Sequence, residues 1–484
     1  MKLAKSLLLG AAAGLVSVAS ASAADLPSRT KGPAVEYVKV CDVAGVAGFY
    51  IPGSDTCLKI SGQVRAEYRF GNQGKTFTTT DAANGNLVPA GTTNAAGVLG
   101  LNDTNNITAT RRSKDMSVWF SRASIRLDAR TQTAYGVLRS FGAIDFNTTN
   151  NAGGLGIDKA FIQWAGITAG YAQSNFDFYA DDAGYSGVRT SDSTVNMLAY
   201  TATFGGGFAA TVSLEDPRSR QYGIVNLGGA NAIRAGYAGT RYPNIVGAIG
   251  IYNQTWGAAQ LSAVAHQLVT QNQSNIASTT RGTSNFGYAV QAGVKINLPF
   301  LGAKDAFFLQ GAYSQGATAY ALEGAGSTAA GNSAGGFPGG ITQVHGDAVA
   351  LPCTTLGCTG YRLDKEKAYS VVAALEHYWT PTIRQDIYGS YARVTPGSAS
   401  KAGDWRLGYL GNWTEYRVAT TLYWMPVAGL QIGVDGIYAR VNQSLARAPG
   451  FLASSTTIQT GGVVTNFKKD YDSFSGRLRI NRSF

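Results

Sequence analysis

Histidine, serine and cysteine supply most nucleophiles, bases and soft metal ligands in proteins, and this sequence offers few ways of combining them. Its three histidines are His266, His345 and His377, and no Gly-x-Ser-x-Gly motif lies beside any of them. Nucleophilic catalysis needs a base held next to the nucleophile, so this distribution disfavours hydrolysis. We therefore predict that the chain is not an enzyme and needs no cofactor.

The four cysteines fall into two local pairs, Cys41 with Cys57 and Cys353 with Cys358. With three histidines in the chain and no Cys-x-x-Cys motif, a metal site is disfavoured, and we predict none. Three disulfide connectivities are possible in an oxidising compartment, and bonding within each local pair is the favoured one.

The charged residues are distributed so that they could create an electric field rather than a reaction centre. The segment 177–195 is acidic, and earlier segments carry arginines that recur on one face. The aspartates are Asp177, Asp181, Asp182 and Asp192, and the arginines, called the basic wall below, are Arg65, Arg122, Arg126, Arg130 and Arg139. Opposite charges facing each other across a narrow aqueous passage orient water and polar solutes.

The elements that carry these charges alternate between apolar and polar residues with a period of two. From 58 to 70, apolar residues occupy the even positions, and polar or charged residues occupy the odd ones. The last eleven residues alternate in a similar way and end at Phe484. A strand places such sets on opposite faces, whereas a helix would spread both around its surface. One apolar face and one wet face are what a membrane β-barrel strand requires.

Sixteen segments have this strand character. They are 58–71, 116–131, 135–147, 159–165, 167–176, 196–204, 208–216, 244–256, 259–269, 286–298, 306–316, 369–380, 382–395, 414–425, 429–442 and 474–484. Short turns alternate with long polar connections, which are 72–115, 148–158, 177–195, 217–243, 270–285, 317–368, 396–413 and 443–473. An even strand number with this alternation predicts a 16-stranded antiparallel transmembrane β-barrel, with short periplasmic turns and long extracellular loops.

The amino terminus predicts export. Two lysines precede an apolar stretch and a run of small residues, which is the pattern of a signal peptide cleaved after Ala23 or Ala24. The predicted organisation is therefore a signal peptide at 1–23, a periplasmic-side segment at 24–57 and a barrel domain at 58–484. The 61 glycines and 25 tyrosines suit tight turns and interfacial aromatic girdles.

The net charge of +11 is accompanied by no nucleic-acid-binding motif, so we predict no nucleic-acid partner. A β-helix or a fibrous adhesin would show a fixed repeat, which the sequence lacks. In a barrel, segment 177–195 is the third long loop. If it folds inward, its aspartates would face the basic wall and narrow the lumen.

Two stretches resemble the general porins of alphaproteobacteria, the rhizobial-type family. One is Ala34-Val-Glu-Tyr-Val-Lys-Val-Cys41, continuing through Gly48-Phe-Tyr-Ile-Pro-Gly53 to Thr56-Cys-Leu-Lys59. The other is the terminal Arg479-Ile-Asn-Arg-Ser-Phe484, whose form many outer-membrane barrels share. The stretch Gly166-Ile-Thr-Ala-Gly170 is a weaker match.

The resemblance implies a homotrimeric outer-membrane channel for passive diffusion of small hydrophilic solutes. It also implies an inward-folded third loop, contact with outer-membrane lipid and lipopolysaccharide, and insertion by the barrel-assembly machinery, which would read Phe484. Two alternatives stay open, a solute-specific channel for sugars or organic acids and a plugged barrel that acts as an adhesin. The sign of ion selectivity is open as well, because the basic wall favours anions and the loop aspartates favour cations.

Overall fold

Sixteen antiparallel strands form one closed sheet in the computed structural model of the chain. The residues that it describes are 39–72, 77–79, 107–109, 117–179, 183–226, 234–235, 237–270, 273–274, 279–280, 282–323, 346–352, 361–398, 412–443, 457–460, 463–466 and 470–484. The predicted signal peptide and the pair Cys353 and Cys358 lie outside them.

The barrel strands run in sequence order around the ring. They are β1 Cys57–Asn72, β2 Ser117–Thr133, β3 Gly136–Thr149, β4 Ala152–Trp164, β5 Ile167–Gln173, β6 Thr194–Gly205, β7 Phe208–Glu215, β8 Asn244–Ile251, β9 Gly257–Val269, β10 Ser284–Asn297, β11 Ala306–Gln315, β12 Lys367–Thr380, β13 Ile383–Thr395, β14 Trp413–Val427, β15 Leu430–Gln443 and β16 Asp470–Ser483. Each predicted strand overlaps one of these, so the predicted number of strands is confirmed.

The ring closes where the last strand pairs with the first. β16 runs antiparallel to β1, from Phe474 opposite Asn72 to Ser483 opposite Gln63. The pairing extends to the final residue, because the backbones of Phe484 and Gly62 exchange two hydrogen bonds of 3.0 Å. Closure leaves none of the sixteen barrel strands as an edge strand, and so it satisfies the backbone groups that hydrocarbon cannot.

The two faces of the sheet differ as the alternation predicts. Val64 and Ile125 point outward and are 56% and 45% exposed, whereas Glu67, three residues after Val64, and Ser124, next to Ile125, point inward and are 2% exposed. Exposed apolar side chains recur on the outer face of most strands, which is the surface that lipid contacts. Among the described residues, no helix is long and apolar enough to span a membrane.

An N-terminal hairpin extends the sheet beside β1. It consists of Val40–Val43 and Val46–Tyr50, and Phe49 and Tyr50 pair with Leu58 and Cys57. A disulfide joins Cys41 to Cys57 and ties the hairpin to the barrel. Part of the predicted periplasmic-side segment is therefore ordered β-structure.

The long connections carry short elements of their own. A four-stranded sheet joins two of these connections, and the other short strands form three separate pairs. The sheet contains Ile224–Asn226, Arg234–Ala235, Ala348–Pro352 and Tyr361–Lys365, and the pairs are Phe77–Thr79 with Ile107–Ala109, Gln273–Ser274 with Thr279–Thr280, and Thr457–Thr460 with Val463–Asn466. One 3₁₀ turn at Arg218–Arg220 and one short α-helix at Ala319–Leu322 complete the described elements.

The prediction that 148–158 forms a long connection is wrong. β3 and β4 continue to a tight turn at Asn150 and Asn151, with Thr149 opposite Ala152. Both asparagines have positive φ, 48° and 70°, as in the type I′ turns that suit a two-residue hairpin. The Asn150 side chain accepts a hydrogen bond of 3.0 Å from the backbone N–H of Trp119, which anchors the turn to the neighbouring strand β2.

This turn gives a test of the strand register. Asn151→Val should lower stability by about 1–2 kcal/mol, because a β-branched residue is strained at positive φ, whereas Asn151→Gly should be close to neutral. Thermal unfolding in detergent, followed by circular dichroism, measures both variants. Equal midpoints for the two variants would contradict the type I′ turn.

Candidate functional site

The connection between β5 and β6, called loop 174–193, lies against the inner face of the barrel; its residues 180–182 are not among those described. The Phe176 carbonyl accepts hydrogen bonds of 2.6 Å from Ser262 Oγ of β9 and from Gln291 Nε2 of β10. All three residues are buried. The start of the loop is therefore held by side chains that point into the barrel.

Further along the loop, the same kind of contact recurs on later strands. The Tyr179 backbone N–H donates to Gln310 Oε1 of β11 at 2.7 Å, and the Ser186 N–H donates to the Tyr388 hydroxyl of β13 at 3.0 Å. These two strand residues are 2% exposed, and the adjacent residues on the other face, Leu309 and Ile387, are exposed. Because neighbours in a strand point to opposite faces, the loop lies inside the ring.

A buried ion pair holds the returning half of the loop. Arg189 Nε lies 2.8 Å from Glu415 Oε1 of β14, and both side chains are almost completely buried. Arg417 binds the same carboxylate at 2.7 Å and donates to the Gly187 carbonyl at 3.0 Å. Arg189 also donates to the Leu322 carbonyl at 2.8 Å. One carboxylate thus joins the loop, the barrel wall and a second long connection.

The base of the loop is closed by a network around Asp177. Its carboxylate lies 3.0 Å from Arg220, and both side chains are fully buried. Gln173 Nε2 donates to Asp177 at 2.7 Å and to Asp192 at 2.8 Å, and the Ser193 N–H donates to Asp177 at 2.8 Å. Asp177 therefore does not offer the lumen the free carboxylate that the sequence suggested, because it is fully buried and its oxygens accept hydrogen bonds from Arg220, Gln173 and Ser193.

The two described aspartates of the loop bind protons more tightly than usual. Burial raises the pKa of Asp177 to about 7, with Arg220 acting in the opposite direction and Asp192 adding to the rise. Burial also raises the pKa of Asp192, against the hydrogen bond from Gln173 and the charges of Arg220 and Lys159. Asp181 and Asp182 lie outside the described residues. The role of Asp181, Asp182 and Asp192 in a constriction stays a prediction.

The basic wall lies on the inner face of β1, β2 and β3. Arg65 is directly opposite Arg122 across the β1–β2 pair, and Arg130 is opposite Arg139 across the β2–β3 pair. Arg126 lies between them on the same face of β2. Within the described part of the chain, Arg126 has no ion-pair partner.

Carboxylates on the same face neutralise part of this charge. Asp128 lies 3.0 Å from Arg130 and 2.9 Å from Arg139, so two guanidinium groups share one carboxylate. Asp145 lies 2.8 Å from Arg122. The inner face of these strands keeps an excess of positive charge.

Sequence reasoning missed two arginines of the closing strand. Glu67 is completely buried and lies 2.7 Å from Arg479 and 3.8 Å from Arg477 of β16. It also pairs with Arg65 at 3.0 Å and Arg69 at 2.7 Å. The sequence did contain a signal for Arg477 and Arg479. Odd-numbered residues face inward in both β1 and β16, and closure of the barrel makes these two strands neighbours.

The loop reaches this arginine cluster through Tyr185. The Arg479 Cζ lies 3.8 Å from the centre of the Tyr185 ring, and Arg477 donates to the Tyr185 carbonyl. The Tyr185 hydroxyl donates to Gln431 Oε1 of β15 at 3.1 Å. The loop therefore runs along the inner face from β9 to β16 and leaves the inner faces of β1 to β5 to line the remaining passage.

Two histidines, His266 and His377, are among the described residues, and both form hydrogen bonds within the barrel wall. His266 Nδ1 lies 2.8 Å from Asn244 Oδ1 and its Nε2 lies 2.9 Å from the Tyr237 hydroxyl; His377 Nδ1 lies 2.5 Å from Asp305. Among the residues described, no group of three or more His, Cys, Asp and Glu side chains could hold a metal ion. Loop 174–193 and the basic wall can narrow an aqueous passage and create an electric field across it.

Comparisons with known proteins agree with this architecture. A family model described as the porin subfamily matches residues 25–472. Porin Omp2b of Brucella canis is 29% identical over 333 residues, covering 65% of this chain and 75% of that protein, and Omp2b of Brucella suis biovar 1 is 30% identical with the same coverage. The crystal structure of the outer-membrane channel DcaP of Acinetobacter baumannii superposes with a TM-score of 0.51 at 15% identity, covering 91% of this chain and 100% of that one.

The buried carboxylate of Glu415 gives a second test. Glu415→Gln should destabilise the protein by about 3–5 kcal/mol, because two buried guanidinium groups lose their counter-charge. The matched control is Arg126→Gln, which removes an unpaired charge from the inner face and should change stability by less than about 0.5 kcal/mol. Unfolding in detergent measures both, and equal losses would contradict the anchoring of the loop by Glu415.

The raised pKa of Asp177 gives a third test. Its protonated form is favoured by folding, so its contribution to stability is full below about pH 4 and is lost as the pH rises through about 7. The unaltered protein should therefore lose more stability between about pH 5 and about pH 8 than Asp177→Asn does. The measurement is the change in unfolding midpoint across that interval, and an equal change in both proteins would contradict the assignment.

Proposed function

The chain belongs to the porin subfamily of outer-membrane channels, and we propose that solutes cross it between loop 174–193 and the basic wall. As a multi-pass β-barrel of the outer membrane, it is a channel for diffusion of small solutes. The observation that carries the proposal is the position of the loop, which covers the inner faces of β9 to β15 and contacts β16 through Tyr185. Because the loop narrows the passage from one side, the uncovered inner faces of β1 to β5 form the other side of the passage.

The uncovered side would give the constriction a preference for anions. On β1 to β3, Glu67, Asp128 and Asp145 are all paired with arginines, and Arg126 has no such partner among the described residues. In a narrow lumen, fixed charge of one sign raises the local concentration of the opposite ion. Asp181 and Asp182 would oppose this preference from the loop.

The channel would act without chemistry on its solutes. His266 is buried between Asn244 and the Tyr237 hydroxyl, so both of its ring nitrogens are occupied. His377 pairs with Asp305, and no serine hydroxyl is among its hydrogen-bond partners in the described structure. A general base needs a free nitrogen within reach of a nucleophile. His266 has no free nitrogen, and the partner of His377 among the described residues is a carboxylate rather than a nucleophilic hydroxyl or thiol.

We also propose that the protein assembles as a homotrimer in contact with lipid and lipopolysaccharide. The exposed apolar outer face supports insertion in lipid. Phe484 supports recognition by the barrel-assembly machinery, because its backbone completes the β16–β1 seam and its side chain is 68% exposed. The signal peptide at 1–23, with the barrel domain beginning at 58, remains part of this proposal.

Planar bilayer recordings test the constriction. The purified protein should add conductance in steps, commonly in threes, and its reversal potential in a salt gradient should indicate anion preference. Arg126→Gln should weaken that preference because it removes an unpaired lumen charge, and Arg126→Lys should preserve it because the charge is kept.

The acidic side is tested separately. Replacing Asp181, Asp182 and Asp192 together by asparagine should shift the permeability ratio further toward anions; Asp177 is kept because it is buried against Arg220. No shift would reject the aspartates as part of the constriction, and a cation-selective protein unaffected by Arg126→Gln would reject the role of the basic wall.

A further inference from the structure

One part of the lumen wall is apolar where a porin lining is ordinarily polar. Phe141 of β3 and Phe161 of β4 are directly opposite each other and both point inward. Their ring centres are 5.2 Å apart with an angle of 25° between the planes, which is a stacked pair. Phe161 also packs against the buried side chains of Ala172 and Met197 on β5 and β6.

This aromatic pair differs from two inward-facing aromatic residues that lie beneath loop 174–193. Phe308 is covered by the Tyr179 ring of loop 174–193, with ring centres 5.4 Å apart, and Tyr388 donates its hydroxyl to Asp435 beneath the same loop. Phe141 and Phe161 instead line an open cavity of about 370 Å³. The volume is within the range of small-molecule sites.

Cations lie on both sides of the pair along the strands. The β3–β4 register places Arg139 one inward-facing position before the two rings and Lys159 one position after them. The Arg139 Cζ lies 5.0 Å from the Phe141 ring centre and 5.3 Å from that of Phe161. A flat aromatic surface is therefore bordered by positive charge at each end.

The two cations differ in availability. Arg139 binds Asp128 at 2.9 Å and Gln163 at 3.0 Å, so each of its three nitrogens already donates a hydrogen bond. Lys159 has neither a hydrogen bond nor an ion pair within the described part of the chain, although its charge acts on Asp192. An incoming anion would find its free donor at Lys159.

Amide groups from the base of the loop close the cavity. Gln173, the last residue of β5, and Asn175 of the loop also line it, and Gln173 is fixed by its hydrogen bonds to Asp177 and Asp192. The cavity therefore lies beside the loop that narrows the lumen, where solutes crossing the channel would pass.

The geometry points to a binding site for small aromatic carboxylates, with the ring stacked on Phe141 and Phe161 and the carboxylate paired with Lys159. This inference rests on the proposed channel function and adds a solute class to it. A neutral sugar could stack on the rings but would not use Lys159, and a small aliphatic anion could use Lys159 but not the rings. Selectivity should therefore require both features in one solute.

The experiment is solute block of ion current through the reconstituted full-length protein. Benzoate should reduce the current saturably, with a half-blocking concentration about fivefold or more below those of acetate and benzamide, since stacking and a charge-assisted contact each contribute about that factor. Lys159→Gln should raise the value for benzoate about fivefold. The double variant Phe141→Leu, Phe161→Leu should raise it similarly and leave the value for acetate unchanged.

The matched control is Lys295→Gln. Lys295 also lies beside an inward-facing aromatic ring, 5.2 Å from the centre of Phe308, but on β10 and outside this cavity. The Lys295→Gln variant should therefore leave the half-blocking concentration of benzoate unchanged.

The outcomes separate this inference from the proposed function. Conduction with equal block by benzoate, acetate and benzamide would overturn the site and leave the channel function intact. Equal effects of Lys159→Gln and Lys295→Gln would overturn the role of Lys159, and with it the site. A protein that inserts but does not conduct would overturn the proposed function and the site together.

Discussion

The fold depends on one constraint, which is that backbone N–H and C=O groups facing hydrocarbon must bond to each other. Sixteen strands meet it only when β16 pairs with β1, and the bonds between Phe484 and Gly62 carry that seam to the last residue of the chain. Closure fixes which faces are wet and which contact lipid. It also makes Arg477 and Arg479 neighbours of Glu67.

The interior depends on buried charge being paired. Loop 174–193 stays within the barrel because its polar groups find partners there, with Glu415 joining Arg189 and Arg417. Breaking such a pair costs several kcal/mol, because it leaves a charge that water cannot reach. The loop therefore occupies one side of the lumen, and the basic wall and the Phe141–Phe161 pair line the other.

Periodicity in the sequence was sufficient to predict the strands, because a wall between lipid and water imposes alternation on every residue. It failed at 148–158, where Gly153, Gly154 and Gly156 carry no side chains to alternate and Asn150-Asn151 is read as loop. It could not predict the environment of Asp177 either, because Arg220 comes from a different connection and no local pattern links the two. Arg477 and Arg479 were missed for a different reason, because they approach Glu67 only through the pairing of the last strand with the first.

The most direct test of the account is a cross-link between the loop and the barrel wall. The Ser186 hydroxyl donates to the Asp435 carboxylate of β15, so cysteines at these two positions should be joined by oxidation or by a short thiol-reactive linker in the intact outer membrane. The cross-linked protein should conduct like the protein without the added cysteines, because the loop already lies there. Failure to cross-link, or a large fall in conductance once the link forms, would show that the loop lies elsewhere and that the lumen is not narrowed in this way.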